Sequence, residues 1–303
     1  MDELTFVFAC PRCATALSGG LKCANCGVTY EMSDGIHRFL LPERCKQILP
    51  FLMQYRSVRE REGYRLYTAE EYRNLPDVRV DSPQADVWRV RRESYHRLLS
   101  LLNGQRLAIL DLGAGNGWLS HRLAVLGNRL VAVDWLDDTN DGLGVYRQYP
   151  VKYLCVQADF NALPFVSGQF DAVIFNASLH YAANLEETMQ HASNMLKPKG
   201  RIYVMDSPTF GSNTNGQVMV REQIEHLRNK YGLPEVLQPG AGYLTSNGMI
   251  GLGNKLGIDF RFHQSRGAFM WEARRWWGGV KSAREPAAFG VWAGSPRSVN
   301  RSS

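Results

Sequence analysis

The 303-residue chain reads as an α/β protein with a doubly wound, mostly parallel sheet and a small Cys-rich module at its start. Three observations predict this. Residues 106–135, RLAILDLGAGNGWLSHRLAVLGNRLVAVDW, run as strand, Gly-rich turn, helix and strand, one βαβ half of a nucleotide-binding fold. Apolar strand patterns and helical patterns then keep alternating, which argues for parallel pairing with helices on both faces. Four of the six cysteines fall in the first 26 residues as two C-x-x-C pairs.

Taken in order, Cys10-Pro-Arg-Cys13 and Cys23-Ala-Asn-Cys26 supply four thiolates with the spacing of a structural Zn²⁺ site, closed and therefore not catalytic. A hairpin turning at Ser18-Gly19-Gly20 would bring the pairs together, and the metal would supply the folding energy that so small a module lacks. Disulfides are the rival reading. The N-terminus has no signal-peptide pattern and no apolar run suits a membrane helix, so a cytoplasmic setting with reduced thiols is expected. Residues 27–36 alternate as a strand and turn at Asp34-Gly35.

Residues 43–81 mix Tyr55, Tyr64, Tyr67 and Tyr72 with Arg and Glu, and read as a helical linker able to lie over a cleft. Ser82-Pro83 is a helix-start pair, and the helix it opens should end at Gly104. Beyond Asp134 the pattern predicts a helix over 145–149, strands over 151–156 and 170–175, and a helix from Leu185 to Leu196 that ends at Lys197-Pro198-Lys199-Gly200. A strand over 201–205, helices over 218–231 and 246–256, and strands over 258–263 and 289–292 complete it. The boundaries drawn are 1–42 for the Cys module, 43–81 for the linker and 82–303 for the α/β domain.

The glycine spacing selects the ligand. A dinucleotide site has G-x-G-x-x-G, whereas here Asp111 precedes Gly113, Gly115 and Gly117, with Ala114 and Asn116 between them. A leading carboxylate repels a pyrophosphate and suits an ammonium, which S-adenosylmethionine (SAM) has. Asp134, followed by Trp135, stands where an acid takes ribose hydroxyls.

Five stretches, DLGAGNGWLS, VAVDW, QADFNALPF, FDAVIFNASLHY and LKPKGRIYVMD, resemble class I SAM-dependent methyltransferases of the type 11 group in order and spacing. The resemblance implies a seven-stranded Rossmann-like sheet. It also implies Asp111 near the amino-acid part of SAM, Gly113, Gly115 and Gly117 against the methionine part, and Asp134 on the ribose. Asp159 would meet the adenine amine with Phe160 beside the ring, and Asn176 would border the sulfonium. Asp171 has a structural role in that pattern. Residues 8 to 42 or so resemble a small zinc-ribbon family that activates other methyltransferases, a resemblance that allows a protein partner; Met32 and His37 depart from its pattern.

Composition narrows the acceptor less. The formal charge of +6 resides in the segment from Arg261 onward, which carries Arg266, Arg274, Arg275, Lys281, Arg284, Arg297 and Arg301. His180 is the candidate general base, since its ordinary pKa suits proton transfer near neutrality; Tyr181, Tyr95 and His96 are further pocket candidates. Asn176-Ala177-Ser178-Leu179 lacks the N/D-P-P-Y/F pattern of amide and adenine-amine methylation, and that loop has no cysteine for cytosine C5 chemistry. A small-molecule acceptor is the main reading. RNA base methylation through the zinc module and basic end is the alternative, and a non-catalytic SAM-binding partner protein the third. The aromatic stretch Trp271–Trp277 is read either as lining the acceptor pocket or as packing on the sheet.

Overall fold

The computed structural model describes residues 6–265 and 284–297. In chain order the elements are β1 (Glu31–Ser33), β2 (Ile36–Arg38), α1 (Pro42–Arg61), α2 (Ala69–Asn74), α3 (Ala85–Leu102), β3 (Ala108–Leu112), α4 (Trp118–Val125), β4 (Arg129–Asp134), β5 (Leu154–Gln157), β6 (Phe170–Asn176), α5 (Leu185–Asn194), β7 (Leu196–Met205), β8 (Thr209–Phe210), α6 (Asn213–Tyr231), β9 (Leu244–Thr245), α7 (Ser246–Leu256), β10 (Ile258–Gln264) and β11 (Gly290–Pro296).

Among the described residues the main sheet has nine strands in the order β1-β2-β5-β4-β3-β6-β7-β11-β10. Pairing from β2 to β7 is parallel, whereas β1 with β2, β7 with β11 and β11 with β10 are antiparallel. The expected seven strands are present as β5-β4-β3-β6-β7-β11-β10, so the seven-stranded sheet is corrected to a mixed one of nine. The two extra strands come from the Cys-bearing end. The β1-β2 hairpin turns at Asp34-Gly35, and Ile36–Arg38 pairs in register with Cys155–Gln157. An open parallel edge leaves backbone N–H and C=O groups unpaired, and the hairpin satisfies them.

Burial on both faces makes the central strands nearly continuous apolar runs. All five residues of β3 are buried, with Ile109 and Leu110 facing opposite cores. The core on the Leu110 face takes in Phe6, Leu17, Tyr30 and Phe39, so the Cys-bearing segment shares it rather than forming one of its own. Cys155 is fully buried in β5. Asp171 accepts the Ala108 N–H and pairs with Lys197 at 2.9 Å, which fixes the start of β6 as the resemblance implied.

Several boundaries move. The helix expected from Ser82 begins at Ala85, because Ser82-Pro83 form a turn whose next residue, Gln84, donates its side-chain amide to the Glu62 carbonyl at 2.6 Å. The segment after Asp134 makes a 3-10 helix, Leu143–Gln148, instead of an α-helix. Lys197-Pro198-Lys199-Gly200, expected as a helix end, opens β7, and α6 begins earlier than expected, at Asn213 behind a Ser212 cap. Trp271–Trp277 lies outside the described residues.

Gly117 shows what the turn after β3 demands. It sits at φ +72 ahead of α4, and a Cβ there would lie 2.1 Å from the Tyr153 hydroxyl. Gly117→Ala should therefore destabilise the protein by about 1–3 kcal/mol, through the left-handed backbone and the overlap together. Tyr153→Phe should recover part of that loss in the double variant. Urea unfolding of the four proteins in the cycle tests this, and additive losses would mean that the overlap does not matter.

Candidate functional site

Strand order reverses at β3, since the chain runs outward through β4 and β5 and then crosses back to β6. The carboxyl ends of β3 and β6 diverge there, and such a switch point opens a crevice in doubly wound sheets. A cleft of about 790 Å³ lies at this place. Gly113, Ala114, Gly115, Asn116, Asp134, Trp135, Phe160 and Asn176 all line it, together with Ser178. The chain leaves β3 through Gly113, where φ is +77 and a Cβ would stand 2.3 Å from that of Ser178, so only glycine lets the two strand ends come this close. Ser178 in turn donates to the Leu112 carbonyl at 2.5 Å, clasping the two loops.

Asp134 ends β4, partly buried, and each of its oxygens accepts one backbone N–H: Gly115 at 2.8 Å and Leu136 at 2.7 Å. Removal from water raises its pKa to about 6 despite these bonds. Trp135 and Phe160 stack 5.7 Å apart at an interplanar angle of 23°. Two polar atoms of the lining, Asn176 Oδ1 and Trp135 Nε1, are buried without a hydrogen-bond partner.

Four expected residues do not line this cleft. Gly117 packs on Tyr153. Asp111 is fully buried within β3, with Oδ2 accepting from the Ser120 hydroxyl at 2.7 Å and Oδ1 unpartnered. Asp159 pairs with Arg44 and accepts the Asn161 N–H at 2.8 Å. His180 lies in a neighbouring chamber of about 1,280 Å³. Its Nδ1 is 3.1 Å from the Ser207 hydroxyl, and burial, then the Arg91 charge, lowers its pKa to about 4. That weakens it as the expected base at neutral pH. Of the further candidates, Tyr181 lines both spaces, Tyr95 packs on Trp118, and His96 is exposed.

The linker supplies what residue-by-residue reading left open. Phe51, Leu52, Tyr55 and Arg59 of α1 roof the cleft. Arg59 makes a two-point ion pair with Asp141, one arm at 2.8 Å, and lies 3.8 Å over the Tyr64 ring. Arg56 reaches Asp138 at 3.1 Å, Arg38 pairs with Asp137, and Arg44 with Asp159. The signal available in the sequence was complementary charge: arginines at 38, 44, 56 and 59 against the acidic run 137, 138 and 141.

The sulfurs of Cys10, Cys13, Cys23 and Cys26 lie within 4.8 Å of one another, and no disulfide joins them. Tetrahedral Zn²⁺ with Zn–S near 2.3 Å sets sulfurs about 3.8 Å apart, so the donor set and its spacing fit that ion. The Tyr30 hydroxyl is 2.9 Å from the Cys10 sulfur. Among the described residues no helix is long and apolar enough to cross a membrane.

Residues 110–204 match a family described as a methyltransferase domain. Over 112 residues the chain is 32% identical to the malonyl-[acyl-carrier protein] O-methyltransferase of Enterobacter lignolyticus, taking in 37% of this chain and 43% of that protein. Over 120 residues it is 30% identical to the biotin biosynthesis bifunctional protein BioHC of Cellvibrio japonicus, taking in 39% and 23%. The chain thus spans well under two thirds of the length of these curated relatives. Among solved structures, magnesium protoporphyrin IX methyltransferase from Synechocystis with bound SAH superposes with a TM-score of 0.49 at 18% identity, covering 73% of this chain and 90% of that one. These similarities favour neither an RNA nor a protein partner.

Burial raises the Asp111 pKa to about 7. The native state therefore keeps that proton up to about pH 7, whereas an unfolded Asp gives it up near 4. The stability this contributes is complete below about pH 4 and is lost as pH rises through 7, on the order of a few kcal/mol. Asp111→Asn should flatten that part of the stability profile between pH 4 and 8. Denaturant melts of both proteins across this range decide it, and parallel profiles would refute the assignment.

Proposed function

We propose that the chain is a SAM-dependent methyltransferase whose acceptor is a small molecule. The observation that carries this reading is the convergence on one cleft of the β3 glycine turn, Asp134 and Asn176, with unpartnered polar atoms among the lining. The match of residues 110–204 to a methyltransferase domain supports it independently.

SAM bound here supplies a methyl group activated by its sulfonium. The chain's own residues bind and orient. A carboxylate offers about four lone-pair sites; backbone amides use two at Asp134, which leaves two for a ribose diol. Arg91 lines the cleft with its guanidinium 4.7 Å over the Trp88 ring, and would meet the SAM carboxylate. The Trp135–Phe160 pair offers a flat wall to adenine. Asp159, expected on the adenine amine, reaches that group only when Arg44 releases it. Asn176 Oδ1, buried without a partner in the same lining, would serve as an acceptor beside the sulfonium.

The adjoining chamber supports a small acceptor over RNA. It is bounded by α1, α3 and α6, and its lining is largely aliphatic and aromatic, where a polyanion would call for an open basic groove. The name of one relative, a malonyl-[acyl-carrier protein] O-methyltransferase, also favours an acceptor other than RNA. At the other end, Cys10, Cys13, Cys23 and Cys26 would hold Zn²⁺ as a closed structural ion.

Asp134→Ala should weaken SAM binding about 100-fold, the loss of two hydrogen bonds to a charged group. Calorimetric titration measures this, and an unchanged Kd would remove the ribose assignment. Given labelled SAM and fractionated cell extract, the protein should label the small-molecule fraction; label in RNA alone would sink the proposed acceptor class. Protein purified without added metal should contain one zinc per chain by elemental analysis, and Cys13→Ser should lower that content; a folded, metal-free wild type would refute the zinc site.

A further inference from the structure

Asp206 follows the last residue of β7 and is 6% exposed. Its Oδ1 accepts from the Ser94 hydroxyl at 2.5 Å, and Ser94 lies 2.8 Å from the Ser265 hydroxyl. Its Oδ2 is buried with no hydrogen-bond partner, and the residue lines the chamber beside the cofactor cleft. The backbone at Asp206 is left-handed, φ +56, a conformation that costs energy in a non-glycine residue and is held by its surroundings. Its N–H donates to the Gly290 carbonyl at 3.2 Å, which ties it to β11. A buried carboxyl oxygen left unsatisfied at the edge of a ligand-sized chamber is an acceptor that lacks its donor.

The wall shared by chamber and cleft is aromatic. Phe51 and Tyr55 are 5.6 Å apart, Phe51 and Tyr181 5.8 Å, and Tyr55 and Tyr181 6.0 Å in an edge-to-face pair. Such rings favour a flat aromatic guest. The charges around Asp206 decide what its reacting group is. Arg91 on α3 lines the same chamber and disfavours an ammonium, whereas Arg59 is already paired with Asp141; Glu62 and Asp206 itself disfavour a carboxylate. A neutral hydroxyl on an aromatic ring meets both conditions.

We propose that the methyl acceptor is a flat hydroxyarene seated against the Phe51–Tyr55–Tyr181 wall, and that Asp206 is the catalytic residue that takes the hydroxyl proton. This rests on the methyltransferase reading above. In the step, the acceptor O–H bond breaks towards Oδ2 and a new O–C bond forms to the methyl carbon. The S–C bond breaks with its electron pair staying on sulfur. The carboxylate becomes a carboxyl and later passes the proton to solvent. Burial raises the Asp206 pKa to about 6, nearer neutrality than His180, which suits it better as the base.

The test uses the full chain saturated with S-adenosylhomocysteine at pH 8, with 2-naphthol and 2-methoxynaphthalene as probes that differ only in the donor hydrogen and its methyl replacement. Wild type should bind 2-naphthol at least tenfold more tightly than the ether by calorimetry. Asp206→Gly, which suits the left-handed backbone, should erase that preference while S-adenosylhomocysteine affinity stays within about twofold. Asp206→Asn, which keeps the shape, should bind both probes yet lose transfer of labelled methyl from SAM to 2-naphthol at least 100-fold. Equal binding of the two probes to wild type, no binding of 2-naphthol, or a preference that survives Asp206→Gly would each overturn the proposal while leaving the cofactor reading intact. Failure of wild type to bind S-adenosylhomocysteine would overturn the cofactor reading and this proposal with it.

Discussion

The arrangement of the site depends on one seam of charge. Arg38, Arg44, Arg56 and Arg59, all from the N-terminal segment, meet Asp137, Asp159, Asp138 and Asp141, and the Arg59–Asp141 pair lines the cleft. The pairs are not equivalent. Arg56 is mostly exposed, and solvent screens its pair to little net value. Arg59 and Asp141 are both largely buried, with the guanidinium braced over two tyrosine rings. A desolvated pair of that kind adds little net stability, yet leaving one charge unpaired is costly, so it fixes register. The consequence is that α1 has one seat over the cleft, with Phe51, Leu52, Tyr55 and Arg59 facing it.

That seat is also set from the other end of α1. The Cys-bearing segment is anchored in the sheet by β2, whose register with β5 leaves the chain at Arg38 beside Asp137. Phe8 lies 4.9 Å from Phe39 and 5.6 Å from Phe165, and Ala9 donates its N–H to the Pro164 carbonyl. The segment 159–165 therefore carries Phe160 into the cleft while packing on the Cys module at its far end. The module's place in the protein is thus mechanical: it holds both the roof and one wall of the cleft. A separate docking function would have to use the surface that remains.

Much of the cleft was legible in the sequence, and the reason is local. The glycine turn, Asp134 and Asn176 each sit at a strand's carboxyl end, and a doubly wound sheet brings such ends together whatever the rest of the chain does. Asp111 shows the limit of reading by position. It precedes the turn as expected, but alternation along β3 turns its side chain toward Ser120 on α4, away from the cleft. His180 lies in a three-residue 3-10 helix, Leu179–Tyr181, which carries it into the chamber while Ser178 stays at the cleft. The roof was out of reach for a different reason. Periodicity tells that residues 42–61 form a helix but not what that helix meets, and only pairing its arginines with acids some eighty residues away along the chain would have placed it.

The three strand-end acids divide the work by environment. Burial raises the pKa of Asp111, Asp134 and Asp206 alike, but each has different company. Asp111 is sealed in the sheet with a serine hydroxyl, which suits a structural tie between β3 and α4. Asp134 receives two backbone N–H groups, which favour its ionised form and leave lone pairs facing the cleft. Asp206 has one serine partner and one unfilled oxygen at the edge of the aromatic chamber. Perturbed acids concentrate where chemistry is done, yet the perturbation alone does not separate these three. What separates them is which oxygen is already satisfied and which space it adjoins, and by that measure the proton-handling position lies at the end of β7, at the edge of the chamber that shares Phe51, Tyr55 and Tyr181 with the cleft.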